Sequence, residues 1–161
     1  VNEILWRNHQ TLSVAESCTS GRIASVITAV PGSSQYFKGG VIAYANEVKI
    51  NLLGVDAQII EEKTPVCEEV AVQMAQGARK TFGTDYSVSV TGFAGPGGHD
   101  SGKNSVLVGT IWIAVASSTN VKTVMLEEDN GRDKNLASAT STAIHLLLEL
   151  LKEELGAGEE A

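Results

Sequence analysis

Residues 12–21 read Leu-Ser-Val-Ala-Glu-Ser-Cys-Thr-Ser-Gly, and this stretch decides the fold. Its apolar start, Leu12–Ala15, is typical of a buried strand, and the amphipathic run from Arg22 to Val30 predicts a helix. A strand that turns sharply into a helix directs the first helical N–H groups beyond the strand end, where they suit an anion or a developing oxyanion. The turn also offers three hydroxyls and a thiol as candidate nucleophiles: Ser17, Thr19, Ser20 and Cys18.

Helix and strand patterns alternate along the chain, which predicts an α/β layer fold. We expect helices or helical turns over residues 2–9, 19–30, 33–37, 46–53, 57–61, 68–82 and 133–155. We expect strands over 12–15, 40–44, 86–90, 106–117 and 121–127. The first three strands are joined through helices and should be parallel, whereas a short turn makes the last two antiparallel. The prediction is a three-layer α/β/α sandwich on a mixed, mostly parallel five-stranded sheet.

The composition is that of a globular chain, with 43% hydrophobic and 19% charged residues among 161. This length favours one domain, which we place at residues 1–155, before a flexible acidic tail at 156–161. No apolar run is long enough for a membrane span, and the N-terminus lacks a signal-peptide pattern. The sequence begins at Val1 rather than Met, which leaves open that it is a fragment of a longer protein.

The charge and the cysteines exclude several classes of partner. The net charge is −7 and no basic stripe is present, which argues against nucleic acid, although a few local cations suffice for a small anion. Two cysteines and three scattered histidines show no zinc-ligand spacing and no disulfide framework. We therefore expect no metal, no cofactor and a reducing, cytoplasmic location. The Leu-rich last helix and the long hairpin suggest a homo-oligomer.

Ligands of such folds bind beyond the carboxyl ends of the parallel strands, where three segments should converge. They are the Ser17 turn, the pair Tyr44 and Lys49, and the loop 91–98 with Thr91, Gly92 and Gly95. With Asn46 as the cap, Lys49 is about the third residue of its helix. The helix dipole and partial burial both disfavour its charged form there. A neutral Lys49 could act as a base toward Ser17, with Tyr44 as a relay or orienting hydroxyl.

Each of these residues also has an ordinary structural interpretation. A Ser or Thr after a strand is most often a helix cap worth about 1 kcal/mol, and a Lys in a first helical turn is usually solvated. The Gly-rich loop precedes a strand, so it is neither a P-loop nor a dinucleotide fingerprint. Arg132 begins the last helix. It can bind a phosphate or carboxylate of a ligand, or form an ion pair with a neighbouring aspartate at the surface.

The sequence resembles a known family, the C-terminal domain of the competence/damage-inducible protein CinA. The resemblance covers about Leu12 to Leu151. Several separate motifs carry it in the same order: Ala-Glu-Ser-Cys-Thr-Ser-Gly at 15–21, Pro-Gly-Ser-Ser at 31–34, Tyr-Ala-Asn-Glu-Val-Lys at 44–49, Leu-Gly-Val at 53–55, Thr-Gly-Phe-Ala-Gly-Pro-Gly-Gly at 91–98, Val-Gly-Thr-Ile-Trp at 108–112 and Gly-Arg-Asp at 131–133.

The resemblance implies hydrolysis of nicotinamide mononucleotide to nicotinic acid mononucleotide and ammonia, a step of pyridine-nucleotide recycling. It implies Ser17 as nucleophile, Lys49 as base, Tyr44 as the assisting hydroxyl and Arg132 as a phosphate contact. We expect N–H groups around Thr19, Ser20 and Gly21 to hold the oxyanion or the phosphate, and Thr91, Gly92 and Gly95 to contribute to substrate binding.

The sequence departs from the family pattern in four places. Ser20 stands where the family usually has Gly, residues 64–67 replace Gly-Ala-Val-Ser, Leu136 replaces a second Arg, and the loop after Gly98 is altered. Ser20 could narrow the anion pocket or add a hydroxyl donor to it, and we expect Leu136 to remove one phosphate contact. The alternative functions are a non-catalytic nucleotide-binding or interaction module of a CinA-type protein, and hydrolysis of a different amide.

Overall fold

The computed structural model describes residues 1–96, 99–100 and 105–156. The proposed acidic tail beyond Gly156 and most of the altered loop after Gly98 lie outside these ranges. The helices are α1 (Asn2–Arg7), α2 (Arg22–Thr28), α3 (Asn46–Leu53), α4 (Ala57–Glu62), α5 (Glu68–Phe82) and α6 (Arg132–Leu155), with a 3-10 turn at Ser33–Gln35. The strands are β1 (Leu12–Glu16), β2 (Phe37–Ile42), β3 (Tyr86–Gly92), β4 (His99–Asp100), β5 (Ser105–Val106), β6 (Ile111–Ala116) and β7 (Val121–Leu126).

The five long strands form one mixed sheet, as the sequence predicts. Its order is β2-β1-β3-β6-β7, while β4 and β5 pair separately. β1 is parallel to both β2 and β3, and the pairs β3–β6 and β6–β7 are antiparallel. In this register Glu16, the last residue of β1, lies beside Ile42 on one neighbour and Val90 on the other. The residues after Glu16 therefore begin at the edge of the sheet where the parallel strands end, between β2 and β3.

Helices cover both faces of the sheet. One core contains the apolar sides of α1, α2 and α6, and the other contains those of α3 and α5. The leucines that make the last helix apolar pack inside the first core: Leu146, Leu147, Leu150 and Leu151. That stripe is consequently used within the chain, and a homo-oligomer stays a prediction. Within the described ranges, no helix is long and apolar enough to cross a membrane.

Close packing on the second face fixes α5 and, through it, α3. Ser87 and Ser89 of β3 donate hydrogen bonds to the carbonyls of Ala75 and Ala71 in α5, at 2.6 and 2.5 Å. Gly77 of α5 lies against the end of α3, where an added Cβ would stand 2.0 Å from the Leu53 carbonyl oxygen. Gly54 then ends α3 with a left-handed φ of 72°, as expected. These contacts determine where α3 places its lysine.

The second strand begins at Phe37 and ends at Ile42 instead of spanning 40–44. Three other predicted boundaries are wrong for local reasons. The second helix begins at Arg22 rather than residue 19, because Ser20 and Gly21 have φ angles of 49° and 97° that no helix continues. Ala45, not Asn46, is the N-cap of α3, so Lys49 is its fourth residue. The strand expected from Val106 is interrupted by Gly109, whose φ is 93°, and β6 begins only at Ile111.

Candidate functional site

The backbone of Ser17 is held in place by the two strands that flank the end of β1. Its N–H donates to the Val90 carbonyl at 3.0 Å, and the Glu16 carbonyl accepts from the Ala43 N–H at 2.7 Å. Its own carbonyl accepts from the Ser20 N–H at 3.1 Å. Only 6% of Ser17 is exposed, so the turn presents its hydroxyl to an enclosed space rather than to bulk water.

Lys49 enters the same space from α3. Its Nζ donates to Ser17 Oγ at 3.4 Å and to the Tyr44 carbonyl oxygen at 3.2 Å. The residue is 2% exposed, and among the described residues it forms no ion pair with a carboxylate. Burial lowers the pKa of this amine from 10.5 to about 8. A substantial fraction of Lys49 is therefore neutral near pH 8 and able to accept a proton.

A cavity of about 320 Å³ opens over this pair. Its described lining has two basic side chains, Lys49 and Arg132, and no acidic one, so its charge suits an anionic ligand. The remaining lining residues are polar, aromatic or small: Ser17, Cys18, Tyr44, Asn46, Pro65, Val66, Thr91, Gly92, Phe93, Ala94 and Gly95.

Cys18 is a weaker candidate nucleophile than Ser17. Burial raises the pKa of its thiol to about 11, although Arg132 and Lys49 oppose the shift. The thiolate, which is the reactive form, is consequently scarce at neutral pH. No group of His, Cys, Asp and Glu within the described ranges could hold a metal ion.

The start of α6 fixes the loop that forms the opposite wall. Arg132 donates to the Gly95 carbonyl at 2.6 Å, and the buried Asn135 donates to the Ala94 carbonyl at 2.9 Å. The Thr91 hydroxyl donates to the Pro65 carbonyl at 2.8 Å. Arg132 thus faces the cavity with one donor committed to the loop, instead of pairing with an aspartate at the surface.

The structure brings seven of the predicted site residues together around this cavity: Ser17, Tyr44, Lys49, Thr91, Gly92, Gly95 and Arg132. Tyr44 contacts Lys49 through its backbone carbonyl, and its side chain is largely exposed at the cavity mouth. Leu136 is buried in the core beneath the start of α6 and does not line the cavity.

The expectation of an anion site at Thr19, Ser20 and Gly21 needs correction. Thr19 is fully buried and Ser20 points to solvent, and none of the three lines the cavity. The start of α2 already has an anion, the carboxylate of Glu16. It accepts hydrogen bonds from the N–H groups of Gly21, Ile23 and Ala24 at 3.1, 3.1 and 2.9 Å. These amides are therefore unavailable to a ligand.

Sequence reasoning missed Glu16, and it missed Asn135 as the support of the loop. The available signal for Glu16 was an acid in a run that is otherwise apolar, immediately before a Ser-Cys-Thr turn. A buried carboxylate needs several donors, and a following helix start supplies them.

The fold and the site together define a three-layer α/β protein with a serine–lysine pair at the carboxyl edge of its parallel strands. The chain belongs to the CinA C-terminal domain family, whose model matches residues 1–151. Among its relatives, a CinA-like protein of Rippkaea orientalis is 41% identical over 155 residues, which is 96% of this chain. Another CinA-like protein, from Fervidobacterium nodosum, is 42% identical over 91% of this chain.

This chain spans about a third of those curated relatives, 36% of the first and 35% of the second. Solved structures are similar over nearly their whole length. A CinA superfamily protein from Escherichia coli matches with a TM-score of 0.86 and 30% identity, covering 92% of this chain and 84% of its own. A competence/damage-inducible protein from Agrobacterium tumefaciens matches with a TM-score of 0.83 and 32% identity, covering 92% and 94%.

Proposed function

We propose that this chain is an amidohydrolase that converts nicotinamide mononucleotide to nicotinic acid mononucleotide and ammonia. The observation that carries the proposal is the pairing of a buried lysine with a serine hydroxyl, Nζ to Oγ 3.4 Å, where no carboxylate of the described residues keeps the lysine charged. A serine–lysine pair of this kind activates the hydroxyl for attack on an amide carbonyl. The choice of nicotinamide mononucleotide as the substrate comes from the resemblance to the CinA family.

The chemistry follows from the positions of the two groups. Ser17 Oγ attacks the carboxamide carbon while Lys49 Nζ takes its proton, and the same amine then protonates the departing ammonia. In the second step Lys49 takes a proton from water, which attacks the acyl-enzyme, and returns it to Ser17 Oγ as the carboxylic acid leaves. We assign the oxyanion to backbone N–H groups of the turn that follows Ser17, where Cys18 lines the cavity, because the Ile23 and Ala24 amides of α2 are occupied.

The cavity supports an anionic substrate. Arg132 keeps further guanidinium donors beyond the one bonded to Gly95, and a guanidinium binds phosphate through paired hydrogen bonds. No described side chain of the lining is acidic, so a phosphate meets no repulsion there. A phosphate-bearing substrate fits a role in pyridine-nucleotide recycling, which we place in the cytoplasm, the location expected from the sequence. The scheme needs no metal, so EDTA should leave turnover unchanged.

The test measures ammonia release from nicotinamide mononucleotide by the parent chain and by Ser17→Ala. We expect the parent to release ammonia and the variant to lose at least about 1,000-fold in kcat. Ser118→Ala, which deletes an exposed hydroxyl in the β6–β7 hairpin, is the matched control and should match the parent.

The second candidate is a nucleotide-binding module without activity, favoured by the departures from the family at Ser20 and Leu136. Such a module would show a rise in Tm with nicotinamide mononucleotide and no ammonia release. A different amide substrate would instead give a Ser17-dependent covalent acyl-enzyme without reaction of the mononucleotide. Each result excludes the proposed amidase.

A further inference from the structure

Glu16 makes an unusually complete set of contacts directly beside the nucleophile. Its Oε1 accepts from Thr19 Oγ1 at 2.7 Å and from the N–H groups of Gly21 and Ile23, and its Oε2 accepts from the Ala24 N–H. The residue is fully buried. Two of these hydrogen bonds join the last residue of β1 to Ile23 and Ala24 in the first turn of α2, and the other two hold Thr19 and Gly21 within the five-residue turn that contains Ser17.

No basic side chain of the described residues pairs with this carboxylate. Its charge is balanced by one hydroxyl and by backbone amides at the positive end of the helix. Removing a carboxylate from water is costly, and such arrangements are weak evidence for stability in themselves. The hydrogen bonds to Glu16 instead fix the relative positions of the donor groups, because a carboxylate accepts several donors only when all of them are placed correctly.

The contacts restrict the turn at both of its ends. The start is fixed by the strand hydrogen bonds of Glu16 and Ser17, and the end is fixed by the Glu16 carboxylate on residues 19–24. Between these points, the Ser20 N–H bonds the Ser17 carbonyl. Nothing else in the described contacts holds the Ser17 hydroxyl toward Lys49, since Ser17 Oγ has only the Lys49 Nζ bond at 3.4 Å.

We propose that Glu16 is a positioning residue that holds the Ser17 hydroxyl in line with Lys49 by occupying the start of α2. This proposal rests on the proposed function, because it assumes that Ser17 is the nucleophile. In Glu16→Gln the side chain keeps its length but replaces one acceptor with an NH₂ donor facing amide donors. The turn must then shift, and a displacement of about 1 Å at a reacting group costs on the order of 100-fold in rate.

The experiment compares Glu16→Gln with Asp56→Asn. Asp56 caps α4, where its side chain accepts from the Gln58 N–H at 2.9 Å, so the second variant also neutralises a helix-capping carboxylate, but outside the cavity lining. Three quantities are measured on folded protein: kcat and KM for nicotinamide mononucleotide, and the rate at which a fluorophosphonate probe labels Ser17. The probe reports the serine independently of the natural substrate.

We expect Glu16→Gln to lower kcat and the labelling rate together by about 100-fold, with KM within about threefold of the parent. Asp56→Asn should match the parent in all three. A fall in Tm with kcat and labelling rate unchanged would make Glu16 merely structural and would overturn the proposal. A parent chain that neither labels at Ser17 nor releases ammonia would overturn the proposed function itself, so the two failures are distinguishable.

Should Glu16→Gln fail to fold, a milder pair tests the same contact. Thr19→Val removes only the hydroxyl that donates to Glu16, with little change in volume, and should lower the labelling rate about tenfold. Thr19→Ser keeps that donor and should restore the rate toward the parent value. Equal rates for the two variants would overturn the proposal, because the hydroxyl would then be irrelevant to the serine.

Discussion

Two glutamates at opposite ends of the sheet each accept hydrogen bonds from four groups, but the kinds of donor differ. Glu16 takes three of its bonds from backbone amides beside the candidate nucleophile. Glu154 takes all of its bonds from side chains at the far edge, where β3 begins and β6 ends: Tyr86, Ser117, Thr119 and Asn120.

The difference lies in what each carboxylate constrains. Backbone donors define the path of the chain, so Glu16 controls a turn. Side-chain donors join separate elements, so Glu154 ties the end of α6 to the sheet. We therefore expect changes at the Glu16 edge to alter catalysis and changes at the Glu154 edge to alter stability. The following predictions test this contrast, from the largest effect to the smallest.

The largest effect is expected at Lys49. Lys49→Arg and Lys49→Met should both lower kcat at least about 1,000-fold, because arginine does not deprotonate and methionine cannot accept a proton. Lys49→Met should not lower the free energy of unfolding, since it replaces a buried amine without an acidic partner by an apolar chain of similar length. Ammonia release and urea unfolding measure both. An active Lys49→Arg would exclude the neutral amine as the base.

The matching change at the opposite edge is Glu154→Ala. It should lower the free energy of unfolding by about 1–3 kcal/mol, because the buried hydroxyls of Tyr86 and Ser117 lose their acceptor. The kcat of the folded protein should stay within about twofold of the parent, since the site is at the other end of β3. Urea unfolding monitored by circular dichroism and initial rates decide this. A large loss of kcat with intact stability would contradict the contrast.

The pH dependence should separate the two edges as well. Because the pKa of Lys49 is about 8, kcat/KM should rise about tenfold from pH 7 to pH 9 and then level off. The unfolded lysine titrates near 10.5, so it binds more protons than the folded one between these values, and Lys49 makes stability rise over pH 8 to 10.5. A pH–rate profile with no inflection near 8 would exclude this amine as the titrating base.

Glu154 acts at the acidic end of the range. Burial opposes its ionisation, but hydrogen bonds from Asn120, Ser117 and Tyr86 outweigh burial and lower its pKa. A lowered folded-state pKa gives stability that is present above the unfolded value near 4.5 and is lost as the pH falls through the folded value. Glu154→Gln should therefore lose less stability than the parent on acidification below pH 4.5, as followed by Tm.

The smallest effect is expected at Ser20, the departure from the family beside the site. Its φ of 49° lies in the left-handed region, which costs a side-chain-bearing residue about 1–2 kcal/mol, while glycine pays about 0.5–1 kcal/mol in chain entropy. Ser20→Gly should thus raise the free energy of unfolding by at most about 1.5 kcal/mol. Its kcat should stay within about threefold of the parent, because Ser20 does not line the cavity.

The sequence was informative wherever local chemistry decides the structure. Helix α5 has the predicted bounds, Glu68 to Phe82, because its apolar period is clear and Gly83 follows it. The parallel and antiparallel directions of the strands also follow from the connections between them, whereas the order of the strands was not predicted. The convergence of Ser17, Tyr44 and Lys49 could be anticipated, since parallel strands bring their carboxyl ends to one edge.

The rest depended on side-chain contacts that a sequence pattern does not show. The one sign of Glu16 was an acid in an otherwise apolar run, and this sign does not say which donors the carboxylate accepts from. It accepts from the Thr19 hydroxyl and the Gly21 N–H, in two of the three residues expected to bind an anion. Likewise, the burial that lowers the pKa of Lys49 requires α3 to pack on α5 at Gly77, far away in sequence. Residues that act through tertiary contacts of this kind give no periodic signal.

The position of β1 between β2 and β3 has a consequence for the order in which the chain is made. β1 leaves the ribosome before either of these neighbours, and the Thr11 amide gains the Asp85 carboxylate as its acceptor only 74 residues later. The Ser17 N–H likewise lacks its acceptor in the fold until Val90 is synthesised. Arg132, which holds the loop on the opposite side of the cavity, is synthesised later still. A chain truncated before Val90 therefore carries Ser17 without its surroundings, and the candidate site is complete only after Arg132 has been synthesised.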